Sequence, residues 1–386
     1  MNFAPTEEQV MFRDSVRRFV ADEYPFDKRL KIVAEAPGYR PEHWKAFADL
    51  GWLSVPFAEE YGGLGGDPFD LMVLMEEFGR ALLVSPYLST VVLSGRLLQE
   101  AGGDTASSLI AGIVAGDVQI ASALAEAQGR YDLFDVATKA EHRDGSWHIS
   151  GRKLGVPFAT TADRLIVSAR TAGGRRDRTG ITLFLVDSDA GGVTRSSYRT
   201  HDGGSAATVD FDHVAVDAVL GERDGAWSSI ELVSDIVSAA LAAEMTGAMW
   251  AAQEQTVEYA KTRKQFDQTL GHFQALQHRM VDMFMKCELA RSMTIEATNG
   301  AGMNDPAERT RRIAAARSLI GRYARHVGEE AIQIHGGVGV TMELPIGHYL
   351  KRVMAINATL GDPDYHRRRY IRLMRGEDNV ASVVRV

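Results

Sequence analysis

The chain has 386 residues, 45% hydrophobic and 24% charged, which predicts an ordinary globular protein of two or three packed layers or subdomains. Its formal net charge of −8 argues against a general nucleic-acid-binding surface. Its single cysteine, Cys287, excludes an intramolecular disulfide and a cysteine-based metal cluster, and its apolar neighbours predict a buried thiol. We expect a cytoplasmic protein without membrane contact, because neither a signal peptide nor an apolar run of roughly 20 residues is evident.

Residues 1–117 carry helical sequence patterns. Thr6 and Gln9 form a capping box that opens an amphipathic run through Val20. The glycine-rich turn at 56–66 is weak evidence for phosphate binding, because no Lys-Ser/Thr pair follows it. We therefore expect an N-terminal α-helical domain, with later helical stretches at 41–50 and 69–98.

Residues 118–222 change character, because short β-rich runs now alternate with turn signals. The breaks are glycine-containing pairs at 144–145, 173–174 and 191–192. This pattern predicts a compact, mostly antiparallel β-domain in which the arginine-rich segment 175–178 is a solvated hairpin tip. The expected strands lie at 118–124, 147–149, 164–169, 181–186 and 208–214.

Residues 223–386 are helical again. Apolar or small residues recur at helical spacing over 232–250, 273–290 and 313–334, and a fourth helix follows Pro345. Long helices with short connections form an antiparallel bundle. Helices, a β-domain and a four-helix bundle make an α+β fold, which differs from a βαβ dinucleotide-binding chain.

Five motifs stand in order along the chain: Pro-x-x-x-x-Tyr-Gly-Gly-x-Gly at 56–65, Ser-Trp-x-x-x-Gly-x-Lys at 146–153, Tyr-Ala-x-Thr-Arg-x-x-Phe at 259–266, Phe-Gln-x-x-x-His-Arg at 273–279 and Gln-Ile-His-Gly-Gly at 333–337. In this order they resemble the acyl-CoA dehydrogenase family over essentially the whole chain. Segments 125–135, 167–173 and 361–367 are most similar to the small subunit of two-subunit enzymes such as pimeloyl-CoA dehydrogenase.

The resemblance implies a helical domain, a β-domain and a helical bundle assembled as dimers or tetramers. It also implies FAD as cofactor and a trans double bond introduced between Cα and Cβ of an acyl-CoA thioester. In such enzymes a carboxylate removes the α-proton while a hydride leaves the β-carbon for the flavin. An electron-transferring flavoprotein is the acceptor that the family predicts, and a medium-chain dicarboxylic or cyclic acyl-CoA is the substrate suggested by the small-subunit likeness.

The resemblance implies that this chain retains the half of the FAD site that binds the adenine and the pyrophosphate. A guanidinium fork suits a pyrophosphate, and paired glycines let the backbone approach a cofactor closely. Each residue also has an ordinary alternative, such as a surface ion pair for Arg263 or a helix C-cap for the glycines. One departure is Asp267, where the family usually has glycine. The predicted cofactor-binding residues are Arg263, Phe266, Gln274, Gln333, Gly336 and Gly337.

The half of the site that meets the flavin ring departs from the family pattern. The family's Thr and Ser in segment 125–132 are Ala125 and Tyr131, and its Trp-x-Thr after Gly-x-Lys reads Gly155-Val-Pro157. Glycine cannot pack against a flavin, and proline has no N–H to donate.

The catalytic carboxylate is also missing. An ungapped alignment places Asn357 at the usual glutamate position, and an amide cannot act as a base. The family's alternative glutamate position reads Val237. Asp235 and Glu244, on the same predicted helix, are the remaining candidates for a base, although a capping or solvated carboxylate is the simpler interpretation of each.

Three hypotheses follow. In the first, this chain lends its FAD anchors to a homologous catalytic large subunit in an α2β2 complex that binds the acyl-CoA. In the second, it is a homo-oligomeric flavoenzyme with an atypical base or different chemistry. In the third, it is a non-catalytic scaffold or acyl-CoA-binding subunit. The basic run at 366–369 is interpreted as an intersubunit or solvated face, and no metal site is expected.

Overall fold

The structure is a computed structural model that describes residues 5–65, 67–216 and 219–376. The chain forms two compact units, one of Met1–Phe26, Pro68–Leu83 and Ser238–Val386 (the helical unit) and one of Asp27–Asp67 and Val84–Val237 (the mixed unit). The N-terminal half begins with four helices, α1 Glu7–Glu23, α2 Phe26–Ala34, α3 Pro41–Asp49 and α4 Pro68–Ala81. A π-helix, Tyr87–Ser94, then leads into α5 Gly95–Ala101 and α6 Gly103–Val114.

Eight strands of the mixed unit form one sheet in the order β6-β7-β3-β2-β4-β5-β8, with β1 parallel to β4. The other neighbours are antiparallel apart from a single parallel pairing of β2 with β4, which confirms the predicted mostly antiparallel β-domain. The strands are β1 Ile120–Ala123, β2 Lys139–Arg143, β3 Ser146–Pro157, β4 Arg164–Arg170, β5 Ile181–Asp187, β6 Val193–Arg199, β7 Ser205–Val216 and β8 Val219–Leu220.

The sequence did not predict β2, β6 and β8. Strands β2 and β6 are largely exposed, so they lack the apolar alternation that marks a half-buried strand. Between β2 and β3, Asp144 and Gly145 both have positive φ, 52° and 89°, as a two-residue type I′ turn requires. The predicted hairpin tip at 175–178 connects β4 to β5 and is exposed as expected, and the Arg178 guanidinium also lies 5.8 Å from the Phe134 ring centroid.

The helical unit contains the predicted long helices and one more. They are α7 Trp227–Thr262, which begins in the mixed unit, then α8 Gln274–Ala301, α9 Pro306–His335, α10 Ile346–Asn357 and α11 Pro363–Met374. The fourth predicted helix is α10, and α11 adds a fifth, capped where the Asp362 carboxylate accepts the N–H of Tyr365 at 2.6 Å. A short hairpin, β9 Lys264–Gln265 and β10 Gln268–Thr269, connects α7 to α8.

Local sequence signals explain where several helices begin and end. The predicted capping box is confirmed, since the Gln9 N–H donates to Thr6 Oγ1 at 3.2 Å and the Thr6 N–H to Gln9 Oε1 at 3.1 Å. The helical stretch predicted at 69–98 is not continuous. It breaks after Ala81, where Leu82 has φ of 52°, and resumes as the π-helix after Pro86.

Helix α7 is mostly buried. Contrary to the expectation from sequence, it contains an 18-residue window apolar enough to cross a membrane, with mean hydropathy 1.3, but 89% of that window is buried inside the protein. Burial of this kind is what a core helix shows. The Cys287 thiol on α8 is buried as predicted, and burial raises its pKa to about 12.

Helices α4 and α7 touch through their backbones. A Cβ on Gly79 would lie 1.9 Å from the carbonyl oxygen of Glu244, and a Cβ on Gly247 would lie 1.8 Å from that of Glu76. Any side chain at either position would therefore force the helices apart.

We expect Gly247→Ala to lower the free energy of unfolding by about 3 kcal/mol, at the upper end of overpacking effects. The measurement is urea unfolding of the FAD-free chain followed by circular dichroism. Gly337→Ala is the matched control, because a Cβ there meets nothing within 4 Å and the backbone φ is not positive. Equal midpoints for the two variants would contradict the close crossing.

Candidate functional site

Three of the predicted FAD anchors lie around the connection from α7 to α8. Arg263 directly follows α7 and its N–H donates to Tyr259 O at 2.8 Å. Phe266 and Asp267 form the hairpin tip, with φ of 52° and 65°, in the backbone geometry of a type I′ turn. Phe266 is 88% exposed and meets Phe273 edge-on, with ring centroids 6.2 Å apart. The tip therefore holds an aromatic face out from the protein.

Gln274 is the first residue of α8, as the sequence predicted, and it is exposed. The backbone N–H groups of a first helical turn have no partner inside the helix. Gln274 is thus placed where both its side-chain amide and the adjoining helix terminus face solvent. A polar ligand beside Arg263 could be bound from this side as well.

The other three anchors lie where α9 ends. Gln333 is exposed on the last turn, and Gly336, with φ of 68°, closes the helix by donating its N–H to Gln333 O and Ile332 O. The C-cap interpretation of Gly336 is therefore confirmed. A Cβ at Gly336 or Gly337 would meet nothing within 4 Å, so space for a ligand lies directly over this turn.

The structure brings these two groups of anchors together through an aromatic stack. The rings of Tyr259 on α7 and His335 at the end of α9 have centroids 4.2 Å apart and planes at 22°. Both residues lie within the motifs that carry the family resemblance, yet the sequence did not single them out. The ring spacing is a tertiary contact between residues 76 apart, and no local pattern indicates it.

These residues fit the adenine and pyrophosphate part of FAD. Among the residues that the structure describes, no carboxylate pairs with the exposed Arg263 guanidinium, so a surface ion pair does not explain it. A planar guanidinium binds phosphate oxygens in a bidentate manner, and the open space over Gly336 and Gly337 lets a ligand approach the backbone closely. Exposed Gln274 and Gln333 add amide groups nearby in the same unit.

The flavin-side segment of the mixed unit is closed on itself. The Glu126 carboxylate accepts from the N–H of Ala137 at 2.8 Å, from Gln128 Nε2 at 2.7 Å and from Lys153 Nζ at 2.6 Å. Burial alone would raise the pKa of Glu126, but Lys153 and these donors lower it on balance. Burial lowers the pKa of Lys153 to about 8. The carboxylate and the ammonium group thus satisfy each other without a ligand.

The backbone conformation of strand β3 accounts for the altered residue at position 155. Gly155, where the family has Trp, has φ of 62°, a conformation that a bulky L-residue rarely adopts. Two residues on, Pro157 ends the strand beside Ala206 of β7. The backbone conformation here differs from one that would carry a tryptophan, so the loss extends beyond a side chain.

Asn357 has a packing role at the end of α10. Its Nδ2 donates to Gly321 O on α9 at 3.0 Å, and a Cβ on Gly321 would lie 2.4 Å from Asn357 Oδ1. Just beyond it, the buried Arg317 guanidinium donates to the carbonyl oxygens of Ile356 at 3.0 Å and Thr359 at 2.9 Å. The guanidinium satisfies carbonyl groups at the C-terminus of α10, and the Asn357 amide binds that end of the helix to α9, so Asn357 is used in packing.

Neither alternative carboxylate is an exposed base. Glu244 is 2% exposed and binds Arg352 in a bidentate manner, with Nε to Oε1 at 2.6 Å and Nη2 to Oε2 at 2.9 Å. Asp235 is fully buried in the mixed unit, at 0% exposure. Val237, at the family's other glutamate position, is also buried. None of the positions weighed from the sequence offers a solvent-accessible carboxylate.

The basic run at 366–369 is not a solvated face at its first residue. His366 is 1% exposed, and burial, followed by the nearby Arg317 and Arg369, holds its pKa well below the ordinary value. Within the described ranges, no group of three His, Cys, Asp or Glu side chains could hold a metal ion.

The chain matches three family models in order: the acyl-CoA dehydrogenase N-terminal domain over residues 6–110, the middle domain over 121–214 and the C-terminal domain over 237–374. The chain therefore belongs to the acyl-CoA dehydrogenase family. Members of this family are FAD-binding oxidoreductases that act on CH–CH bonds. The predicted fold, reaction class and cofactor are confirmed at this level.

Relatives cover nearly the whole chain. A probable acyl-CoA dehydrogenase, YngJ of Bacillus subtilis, is 30% identical, and the alignment covers 91% of this chain and 93% of the relative. A variant of the Tcur3481-Tcur3483 steroid ACAD is 28% identical with a TM-score of 0.86, covering 96% and 98% of the two chains. The ChsE4-ChsE5 complex from Mycobacterium tuberculosis has the same fold, at 24% identity, a TM-score of 0.85 and coverage of 97% and 99%.

Burial of His366 links stability to pH. Its folded-state pKa is lowered below the unfolded value of about 6.5, so at lower pH the unfolded chain binds a proton that the folded chain does not. Stability is full above about pH 6.5 and falls as the pH drops, by up to about 1.4 kcal/mol per pH unit for this group. His335, whose pKa burial also lowers, adds in the same direction.

We expect His366→Gln, which does not titrate, to flatten the loss of unfolding free energy between pH 6.5 and 5.5 by about 1 kcal/mol. Urea unfolding at closely spaced pH values measures this slope. His278→Gln, on the exposed face of α8, is the control and should leave the slope unchanged. Parallel slopes for His366→Gln and the unaltered chain would contradict the burial argument.

Proposed function

We propose that this chain is a subunit of an FAD-dependent acyl-CoA dehydrogenase that lends the adenine and pyrophosphate half of the FAD site to a homologous catalytic chain in an α2β2 complex. One contrast carries the proposal: the anchors around Arg263 and Gly336 are exposed, whereas each carboxylate weighed as a base is buried. The partner supplies the flavin pocket, the base and the acyl-CoA site.

In this proposal the helical unit binds the cofactor and performs no proton transfer. Arg263 holds the pyrophosphate, the backbone at Gly336 and Gly337 lets it approach closely, and Phe266 offers an apolar face. Gln274 and Gln333 donate hydrogen bonds from their side-chain amides. Bound FAD supplies the two-electron acceptor for desaturation of the acyl-CoA thioester.

The Glu244–Arg352 pair explains why Glu244 would be a poor base. Freeing its carboxylate would leave a partly buried guanidinium without its partner, at a cost on the order of 3 kcal/mol. Glu244 also lies at the backbone crossing of α4 and α7, so it has no freedom to reach a substrate without disturbing that contact. The geometry favours a structural carboxylate.

An exposed apolar stripe supports a partner chain. Val281, Met285 and Leu289 follow at intervals of four on α8, beside exposed Phe284. Large contiguous exposed apolar patches mark interaction sites, and four neighbouring apolar side chains on one helix face are a candidate for one. The stripe is on the helix that Gln274 opens, so a partner seated there would lie in the same unit as the FAD anchors. The two-chain ChsE4-ChsE5 complex has this fold.

The proposal also includes the cellular location of the chain and its electron acceptor. We place the chain in the cytoplasm, with an electron-transferring flavoprotein as acceptor, as the family leads one to expect. The small-subunit likeness to pimeloyl-CoA dehydrogenase-type enzymes favours a medium-chain dicarboxylic or cyclic acyl-CoA, which the partner binds.

The first test is the visible spectrum and the ratio of FAD to chains, for this polypeptide alone and with its homologous partner. A colourless chain that becomes yellow in the complex, with about one FAD per two chains, supports the half-site. A yellow homo-oligomer with one FAD per chain would instead support a complete flavoenzyme. A colourless complex would support the scaffold and overturn both flavoenzyme hypotheses.

Arg263→Ala should lower the FAD content of the complex at least tenfold at limiting FAD, because a charge-assisted bidentate contact is lost. Arg325→Ala is the matched control, since Arg325 is an exposed arginine of the same unit paired with Glu329. FAD is measured by absorbance after denaturation. Unchanged FAD occupancy in Arg263→Ala would refute the half-site.

Asp267→Gly should raise the affinity of the complex for FAD several-fold, because it removes a negative charge beside the proposed pyrophosphate site. It should also add about 0.5–1 kcal/mol of stability by relieving the positive φ. Asp144→Gly makes the same change at a positive-φ turn of the mixed unit and should leave FAD affinity unaltered. Equal affinities of Asp267→Gly and the unaltered complex would show that the charge does not matter.

A further inference from the structure

Arg263 and the glycine pair 336–337 follow the ends of α7 and α9, and the Tyr259–His335 stack is where those two helix ends meet. The ring centroids lie 4.2 Å apart at an interplanar angle of 22°. The Tyr259 hydroxyl also donates to His335 O at 3.4 Å. The contact therefore fixes both the ring and the backbone of the last residue of α9.

His335 is held in one orientation. A carbonyl oxygen only accepts, so the 2.8 Å contact between His335 Nδ1 and Ala331 O assigns the proton to Nδ1. His335 is buried, and burial lowers its pKa, so the ring stacks as a neutral aromatic at pH 7. On its other side the turn 336–340 folds closely, since a Cβ on Gly339 would lie 2.9 Å from His335 Cβ.

Each ring is directly connected to an anchor. Tyr259 lies one helical turn before Arg263, whose N–H donates to Tyr259 O at 2.8 Å. His335 immediately precedes Gly336, the residue that turns the chain out of α9. A displacement of one ring relative to the other would therefore move Arg263 relative to the glycine turn. Binding sites lose affinity when their groups move by more than about 0.5 Å.

We propose that Tyr259 and His335 are positioning residues that set the placement of Arg263 relative to Gly336 and Gly337, and through it the affinity for FAD. The inference rests on the proposed FAD half-site and deepens it. Neither ring acts by touching FAD. The aromatic contact acts by holding two helix ends in register.

The test is FAD titration of the FAD-stripped assembly that contains this chain, followed by flavin fluorescence. His335→Ala and Tyr259→Leu should each weaken FAD binding roughly 3- to 10-fold, the range that corresponds to an aromatic pair. The double variant should bind no more weakly than the worse single one, because both changes remove one contact. His335→Phe, which keeps an aromatic ring, should bind within about twofold of the unaltered assembly.

Amide hydrogen exchange separates positioning from loss of fold. In His335→Ala the N–H groups of residues 337–340 should exchange faster, while those in the middle of α8 stay protected. Lower thermal stability with unchanged FAD affinity would overturn the inference, as would additive losses in the double variant. If His335→Ala does not fold, Tyr259→Leu and His335→Phe still decide the question.

Different outcomes refute the FAD half-site and the positioning role of the two rings. If the unaltered assembly takes up no FAD, the proposed half-site is refuted and the positioning role with it. If the unaltered assembly binds FAD and the Tyr259 and His335 variants bind it equally well, only the positioning role is refuted. A loss in His335→Phe as large as in His335→Ala would also overturn it, because the imidazole and not the stack would then matter.

Discussion

The backbone crossing of α4 and α7 is the constraint on which the helical unit depends. Glycine at 79 and 247 lets each helix pack against a carbonyl group of the other. Helix α10 is bound at the same point. The Glu244 carboxylate of α7 binds Arg352 of α10, and Tyr349 Oη of α10 donates to Arg80 O of α4 at 2.8 Å. Three helices are thus fixed at one point in the middle of α7, the long helix that ends beside Arg263.

This arrangement connects the fold to the proposed division of function between two chains. A carboxylate that binds two helices together cannot also wait in a cleft for a substrate proton, because the second role needs an unpaired and accessible group. Asn357, the last residue of α10, likewise has a packing role, because its amide binds α9. The side chains at the positions where a catalytic base would be expected are used in packing contacts instead. At the ends of α7 and α9, by contrast, the polar side chains of Arg263 and Gln333 remain exposed.

The sequence predicted features that depend on local chemistry. The capping box at Thr6 is specified by neighbouring residues and is present, and so is the helix C-cap that was the alternative interpretation of Gly336. Helix α8 begins at Gln274 as predicted, without a side-chain cap. The motif order indicated the family, and with it the fold. Edge strands such as β6 were missed because exposed strands carry no apolar alternation.

What the sequence could not indicate are contacts between distant residues. Glu244 and Arg352 are 108 residues apart, and each by itself is compatible with a surface position. The burial of His366 within a run of arginines likewise comes from the packing of α11 on α9, which a charge pattern does not show. Only the folded chain distinguishes a carboxylate that could be a base from one that is already bound.

The changes in the flavin-side segment are compatible with each other. Glu126 accepts hydrogen bonds from Lys153 and from the backbone of residues 137 and 138, so its carboxylate is not waiting for a ligand. Gly155 has a backbone conformation in which a tryptophan would be strained. A side-chain loss alone would leave a gap and unpaired donors, which are costly when buried. Here the Glu126 carboxylate is hydrogen-bonded within the chain and the backbone at residue 155 does not suit a tryptophan, which agrees with the proposal that another subunit binds the flavin ring.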